Sequence, residues 1–163
     1  METVKVRSNI GVLKIELNDN GDYTVISTDD DTFFERFAEA YKTILEKAEN
    51  LEKRYTDLEE QYKDNEMERI VQKIKEKRKF SESATEIIDH IFGEGTVSKY
   101  FRDIIEEVPG FVPSADCMLM FLEQVTPDIE KLFNKKLDER EKLSKARMAK
   151  YQPQDHKKPG GRK

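Results

Sequence analysis

The chain has 163 residues, of which 39% are charged and 36% are hydrophobic, and it contains no Trp. This length fits a single domain, and this composition is typical of exposed helices around a modest core. No apolar run approaches the roughly 18 to 20 residues needed to span a bilayer, and the single cysteine, Cys117, excludes an internal disulfide. We therefore expect a cytoplasmic protein without membrane contact.

The net charge of −5 is distributed unevenly along the chain. From residue 131 onward, twelve Lys or Arg residues accompany four acidic residues, a balance of +8, so residues 1–130 carry −13. This asymmetry indicates an acidic body with a basic arm. The positive charge of the arm is compatible with binding to nucleic acid, with binding to an acidic protein partner, or with a tail that only increases solubility.

The N-terminal region alternates apolar and polar residues in the segments TVKVRS, VLKIELN and DYTVIST. Asn and Gly residues between the segments suit tight turns, so the pattern predicts a small antiparallel meander. Leu13, Ile15 and Leu17 should face a covering helix, because so short a sheet is not stable alone. We place the strands near 3–7, 12–18 and 22–28.

Three consecutive carboxylates, Asp29 to Asp31, come directly before TFFERFAEAY, a run with helical spacing. A hard cation needs ligands spaced along a shaped loop, whereas adjacent side chains point in different directions. Aspartates at a helix N-terminus accept hydrogen bonds from unpaired N–H groups and oppose the positive end of the helix dipole. We therefore interpret the cluster as the cap of a helix that begins near residue 32, with Phe33, Phe34 and Phe37 docking its first turn on the sheet.

A heptad pattern follows, with apolar or aromatic residues at alternating spacings of four and three over more than three heptads. Such a pattern predicts a long helix whose seam meets another helix. Its aromatic side chains are bulky for a tight parallel dimer, so we favour an antiparallel hairpin within one chain, spanning about 32–80 with its turn at 63–66. The seam consists of Phe37, Tyr41, Ile44, Ala48, Leu51, Tyr55, Leu58 and Tyr62.

Further helices are expected after the hairpin. Ser83 and Glu86 have capping-box spacing, which predicts a helix start that is followed by a stop at Gly93. Proline is well tolerated in the first turn of a helix, so Pro127 favours the start of a new helix in the last helical segment. The candidate start positions are Ser81 or Ser83, Thr96, Ser114 and Pro127.

These elements together predict an α+β fold that is mostly α. It comprises a small N-terminal antiparallel β-meander, a long helical hairpin, a compact helical bundle and a basic C-terminal helix with a tail. We expect residues 1–133 to form one domain from which the hairpin protrudes, 134–150 to form a basic helical extension, and 151–163 to form a disordered tail.

The sequence carries no motif for catalysis. A Gly-rich phosphate loop, a nucleophile elbow, zinc-ligand spacing and a Rossmann fingerprint are absent from it. His90 follows Asp89, but adjacent residues of a helix do not face one another. We therefore expect no enzyme activity, no catalytic residue, no cofactor, no metal and no small-molecule substrate.

Two sets of residues are candidates for contact with a partner. The first is the aromatic part of the heptad seam. The second is the basic region after Phe133, which mixes acids with its bases and has Tyr151 as its one aromatic residue for base stacking, so a protein partner is favoured over nucleic acid. The residues are Tyr41, Tyr55 and Tyr62 in the first set and Lys135, Lys136, Arg140, Lys142, Lys145 and Arg147 in the second.

Two segments carry a family resemblance: TFFERFAEAY, an aromatic helix start after acids, and EIIDHIFGEG, an Ile-rich helix that ends in Phe-Gly-Glu. With the short β segment before them and the apolar SADCMLMFLEQV after them, they resemble small proteins of Firmicutes phages and prophages. Those proteins are encoded between the major tail protein and the tape measure protein and are regarded as tail assembly chaperones. The similarity covers roughly residues 10 to 135, and the extension after Phe133 is longer and more basic than the family pattern.

The resemblance implies a non-enzymatic chaperone that binds the tape measure protein and keeps it soluble in the host cytoplasm until tube subunits polymerise around it. It implies the major tail tube protein as a second partner and absence from the mature virion. Apolar stripes on charged helices also favour a homo-oligomer. Two alternatives stay open: a nucleic-acid-binding accessory protein that acts through the basic arm, and a self-assembling structural component of the phage.

Overall fold

The computed structural model describes residues 1–6 and 11–151, in which two strands precede a series of helices. The chain is α+β and mostly α, as its sequence predicts. No helix in these ranges combines the length and the apolar character that crossing a membrane requires. The strands are β1 (Val12–Glu16) and β2 (Tyr23–Ser27), and the helices are α1 (Thr32–Gln61), α2 (Glu66–Phe92), α3 (Thr96–Tyr100), α4 (Arg102–Glu107) and α5 (Ala115–Tyr151).

β1 and β2 form an antiparallel pair in which Leu13 lies opposite Ile26 and Ile15 lies opposite Thr24. The side chains of Leu17, Thr24 and Ile26 are buried, whereas Glu16, Tyr23 and Val25, which alternate with them, are exposed. One-sided burial of this kind gives the alternating pattern of a half-covered antiparallel sheet. The predicted alternation of these two strands is therefore confirmed.

The prediction of a first strand at 3–7 is wrong as far as the structure describes that segment. Residues 3–6 are not in a strand, and the remainder of the predicted 3–7 segment lies outside the described ranges. Val4 and Val6 alternate with charged residues, but they are 84% and 91% exposed. Alternation alone does not form a strand when neither face has a surface to cover it.

α1 and α2 form the predicted antiparallel hairpin within one chain. The turn occupies 62–65, one residue from the predicted position. The side-chain oxygen of Asn65 accepts a hydrogen bond from the Glu68 N–H at 3.1 Å, which caps α2. Alternate members of the heptad seam are fully buried, namely Phe37, Ile44, Leu51 and Leu58.

α2 continues without interruption to Phe92, so the predicted helix start at Ser81 or Ser83 is wrong. Residues 66–92 contain neither Gly nor Pro, and buried side chains recur every four residues across the predicted start. A capping box is a local preference, and a continuous buried stripe outweighs it. The stripe consists of Phe80, Ala84, Ile88 and Phe92.

The caps of α3 and α5 differ in how well the sequence predicts them. Thr96 is the first residue of α3 rather than its cap, and Gly95 precedes it with a φ of +82°, which suits glycine. The carboxylate of Asp89 accepts hydrogen bonds from the N–H groups of Gly95 at 3.2 Å and Val97 at 3.0 Å, and so it supplies the cap. Ser114 caps α5 as predicted, because its hydroxyl accepts a hydrogen bond from the N–H three residues later at 3.2 Å.

Pro127 does not restart a helix, because it lies inside the continuous α5. Proline removes one intrahelical hydrogen bond, here the bond to the carbonyl of Glu123. Glu123 is exposed, so water can satisfy that carbonyl. Val125 and Ile129, on either side of the proline, are buried in the same core, and their packing keeps the helix continuous.

The core forms where α1, α2 and α5 meet the sheet, and aromatic rings dominate it. Phe92 is central: its ring lies edge to face with those of Phe33 at 5.6 Å and Phe121 at 5.5 Å. The hydroxyl of Thr24 donates a hydrogen bond to the Phe92 carbonyl, which fixes β2 at the C-terminal end of α2. Beyond Phe133, α5 continues as a largely exposed extension.

Candidate partner-binding surfaces

The three tyrosines predicted for partner contact lie along α1, but they do not share one surface. Tyr41 and Tyr55 are half-buried against the core, and burial raises the pKa of both hydroxyls above the ordinary value. The ammonium of Lys73 lies 5.7 Å from the ring centre of Tyr55, so α2 partly covers that ring. Tyr62 caps the C-terminus of α1 in the hairpin turn. Tyr41 also lines an open groove between α1 and α5.

The basic extension of α5 is tied to the acid cluster before α1. The Lys136 ammonium lies 3.4 Å from the Asp29 carboxylate, and the Arg140 guanidinium binds both carboxylate oxygens of Asp31, one of them at 2.6 Å. The hydrogen bonds from Arg140 hold the pKa of Asp31 below its ordinary value, and the same contact raises the pKa of Arg140. Two basic residues predicted for partner contact are therefore engaged within the chain.

The other basic residues of the arm are more open to solvent. Lys145 pairs with Glu141 one turn away at 3.1 Å, and both side chains are largely exposed. Lys135, Lys142 and Arg147 are exposed, and no ion pair joins them to another residue of the described ranges. The arm thus presents a smaller cationic surface to a partner than its sequence predicts.

The acid cluster is partly a helix cap and partly the site that holds α5. The Asp30 carboxylate accepts a hydrogen bond from the Thr32 N–H at 3.0 Å and pairs with Arg36 at 2.7 Å, which stabilises the start of α1 as predicted. The hydrogen bond from the Thr32 hydroxyl lowers the pKa of Asp30. Asp29 and Asp31 instead bind residues 107 and 109 positions away, which the spacing within the cluster could not reveal.

An apolar groove of about 350 Å³ lies between α1 and α5, and we name it the α1–α5 groove. Phe34 and Leu45 at its two ends are 38% and 43% exposed although both are large and apolar. The sequence does contain a pattern that could have predicted this groove. Apolar or aromatic residues recur at 34, 38, 41 and 45, with the same spacings of four and three as the seam, and they form a second apolar face of α1. The groove is lined by Phe34, Phe37, Ala38, Tyr41, Lys42, Leu45, Thr126 and Glu130.

A second apolar surface lies on α2 near the hairpin turn, and we name it the α2 stripe. Its side chains are spaced by three, one and three residues, which places them on one face of the helix. These large apolar side chains are 37% to 75% exposed. The α2 stripe consists of Met67, Ile70, Val71 and Ile74.

His90 and Asp89 point to different surroundings. Asp89 binds the first turn of α3, whereas His90 is exposed and lines a groove of about 620 Å³ with Glu35, Glu39 and Glu86. Across residues 1–6 and 11–151, no group of three or more His, Cys, Asp or Glu side chains is arranged to hold a metal ion. The α1–α5 groove and the α2 stripe are better candidates for binding than the groove beside His90, because both expose large apolar side chains.

Comparison of the chain with models of known protein families, with curated proteins and with solved structures finds no match. No relative therefore assigns a partner to either surface.

Proposed function

We propose that this protein is a tail assembly chaperone of a long-tailed phage, which binds the tape measure protein in the host cytoplasm and keeps it soluble during tail assembly. The observation that carries the proposal is the α1–α5 groove, an open apolar channel on a heavily charged chain. The resemblance of TFFERFAEAY and EIIDHIFGEG to the chaperone family supplies the identity of the client.

The shape of the groove suits a helical client. Its α1 wall from Phe34 to Leu45 is about three helical turns, roughly 16 Å long. A client helix with apolar residues at i, i+3 or i+4 and i+7 would place that face in such a channel. Lys42 and Glu130 line the groove with opposite charges, which would set the orientation of a client that carries both signs.

The size of the groove suits reversible binding. Its two largest exposed side chains, Phe34 and Leu45, are already more than half covered, so a client buries only the remainder. A small buried area gives a weak complex, because association also costs translational and side-chain freedom. In this proposal the major tail tube protein is the second partner, since it replaces the chaperone on the same client.

The proposed activity needs no catalysis and no cofactor, and the protein leaves before the virion is complete. Its absence from purified virions would separate a chaperone from a self-assembling structural component. We expect the major tail protein to be detected in purified virions by mass spectrometry and this chain to be missing from them.

Nucleic-acid binding through the basic arm is the less favoured function. Lys136 and Arg140 already neutralise Asp29 and Asp31, so fewer cations remain for phosphates. A salt-dependent shift of DNA or RNA mobility that is lost when 138–163 are deleted would support it instead, and we expect no such shift at physiological salt.

Co-expression with a tape measure fragment tests the proposed function. We expect the wild-type chain to keep the fragment soluble and Leu45→Glu to lower the soluble amount about tenfold, because a client would desolvate the new carboxylate. Ile74→Glu is the matched control, since Ile74 is similarly exposed but lies on the α2 stripe. No gain in solubility from the wild-type chain would refute the proposal.

A further inference from the structure

The α2 stripe has a basic surround. Lys75, Lys77 and Arg78 are next to it on the helix, and no ion pair joins them to another residue in the part of the chain that the structure describes. Glu66 and Glu68 are acids near its other end, and Glu66 lies 4.0 Å from Arg69. Residues 66–78 carry five basic and three acidic side chains, so the surround keeps a net positive charge. A surface that covers the α2 stripe should therefore combine apolar side chains with negative charge.

α4 carries a surface of this kind. None of its residues is buried, although an isolated helix of six residues is not stable in water. Ile104, Ile105 and Val108 lie on one face and are 37%, 40% and 43% exposed. Acidic side chains flank them at 103, 106 and 107. We name this surface the α4 patch.

The α4 patch and the α2 stripe lie at opposite ends of the molecule. Arg102 pairs with Asp22 at 2.9 Å and Asp103 accepts a hydrogen bond from Asn20 at 2.8 Å, which ties α4 to the β-hairpin turn. The sheet in turn is fixed at the C-terminal end of α2, about 27 Å of helix beyond Ile74. The two surfaces of one chain therefore cannot cover each other.

We propose that the α2 stripe of one copy binds the α4 patch of a second copy, so that the chains associate head to tail. Apolar side chains would meet at the centre, and the bases around Ile74 would face the acids around Ile105. A symmetric contact between two α2 stripes would instead bring two net positive surfaces together. A head-to-tail contact uses different surfaces on each copy, so it propagates into a ring or an open chain.

The contact is small, because four apolar side chains on one copy meet three on the other. Contacts at the low end of interface size are transient, with a Kd on the order of micromolar. The mass in solution should consequently rise with protein concentration instead of holding at that of a fixed oligomer.

Sedimentation velocity on two charge-introducing variants tests the proposal without any client, so its outcome is independent of the proposed function. We expect Ile74→Glu and Ile105→Glu each to weaken self-association at least about tenfold, because each places a carboxylate in the apolar centre. An equimolar mixture of the two variants should form dimers and no larger species, since each variant keeps one intact surface. Circular dichroism checks that both exposed substitutions leave the helices folded.

Several results would overturn the head-to-tail contact. They are a wild-type chain that stays monomeric at millimolar concentration, a mixture of the two variants that stays monomeric, and an Ile105→Glu variant that associates like the wild type. The last result would point to a symmetric contact between α2 stripes. As a further check, Arg78→Glu and Glu107→Arg should each weaken association, and both changes in one chain should restore it to within about threefold of the wild type.

Discussion

Two surface ion pairs join the basic extension of α5 to the acid cluster before α1. Lys136 binds Asp29, and one turn later Arg140 binds Asp31, so both contacts act on the same segment of helix. The four side chains are 28% to 50% exposed, and isolated surface pairs contribute little to stability. The extension is therefore held by contacts that salt and acid weaken, while the core does not depend on them.

Acid should release the extension. Hydrogen bonds from Arg140 lower the pKa of Asp31 below its ordinary 3.8, so the pair is fully present above that pH and is lost as the pH falls through the lowered pKa. We expect the anisotropy of a fluorophore on Met148→Cys, in a Cys117→Ser background, to fall as the pH is lowered below about 4.

The matched control for the acid experiment removes both carboxylates. Asp29→Asn combined with Asp31→Asn should give the low anisotropy already at neutral pH, and acid should then change it little. Circular dichroism at each pH separates release of the extension from unfolding of the core. Equal anisotropy in the two proteins at neutral pH would contradict the role that we assign to these ion pairs.

Two isoleucines of α2 allow a test of the core against the surface. Ile88 is 1% exposed and packs among the three long helices, whereas Ile74 is 48% exposed on the α2 stripe. Ile88→Ala should lower the free energy of unfolding by about 2 to 5 kcal/mol, because it removes buried methyl groups and leaves a cavity. Ile74→Ala should change it by less than about 1 kcal/mol. Urea denaturation of both variants measures the difference, and equal losses would be inconsistent with this core.

At the scale of elements, two helices are longer than their local signals predict. α2 passes through the capping-box sequence at Ser83, and α5 passes through Pro127. In both cases buried side chains continue on either side of the signal, and their packing outweighs a preference of about 1 kcal/mol for a cap or about 3 kcal/mol against an interior proline. The long helices thus depend on the core for their continuity.

Pro127 should be a net cost to the stability of α5. It lacks the N–H that would bind the Glu123 carbonyl, and its own side chain is exposed, so a replacement loses no buried contact. We expect Pro127→Ala to raise the free energy of unfolding by about 1 to 3 kcal/mol. Thermal denaturation would show this gain as a higher melting temperature, and circular dichroism at low temperature should show an unchanged helix content. A lower melting temperature would mean that the proline shapes α5 in a way that the core requires.

Local periodicity predicts the elements wherever one face of them is covered. Alternation places β1 and β2, and the heptad spacing places the hairpin, because these are the periods of a strand and of a helix seam. The first predicted strand fails because Val4 and Val6 alternate without a surface to pack on. The contact of Asp31 with Arg140 has no local signal, since only the tertiary fold brings residues so distant in sequence together.

At the scale of the whole molecule, the α1–α5 groove and the α2 stripe lie at different distances from the turn of the helical hairpin. The ion pair between Lys73 and Glu59, at 2.5 Å, places the α2 stripe beside the end of α1 nearest the turn. Leu45, in the α1–α5 groove, lies about 21 Å of helix before Glu59. A client in the groove would therefore leave the α2 stripe open, so one chain could hold a client and a second copy at the same time.

This separation predicts that the two activities can be removed one at a time. Leu45→Glu should lower the soluble amount of a tape measure fragment about tenfold and keep the concentration-dependent rise in mass. Ile74→Glu should keep the fragment soluble and weaken self-association at least about tenfold. The double variant should lose both, since substitutions more than about 10 Å apart act independently. Both assays should use the same protein preparations, checked by circular dichroism. If either folded single variant loses both activities, the client and the second copy share one surface, because damage to one of two separate surfaces would leave the other activity intact.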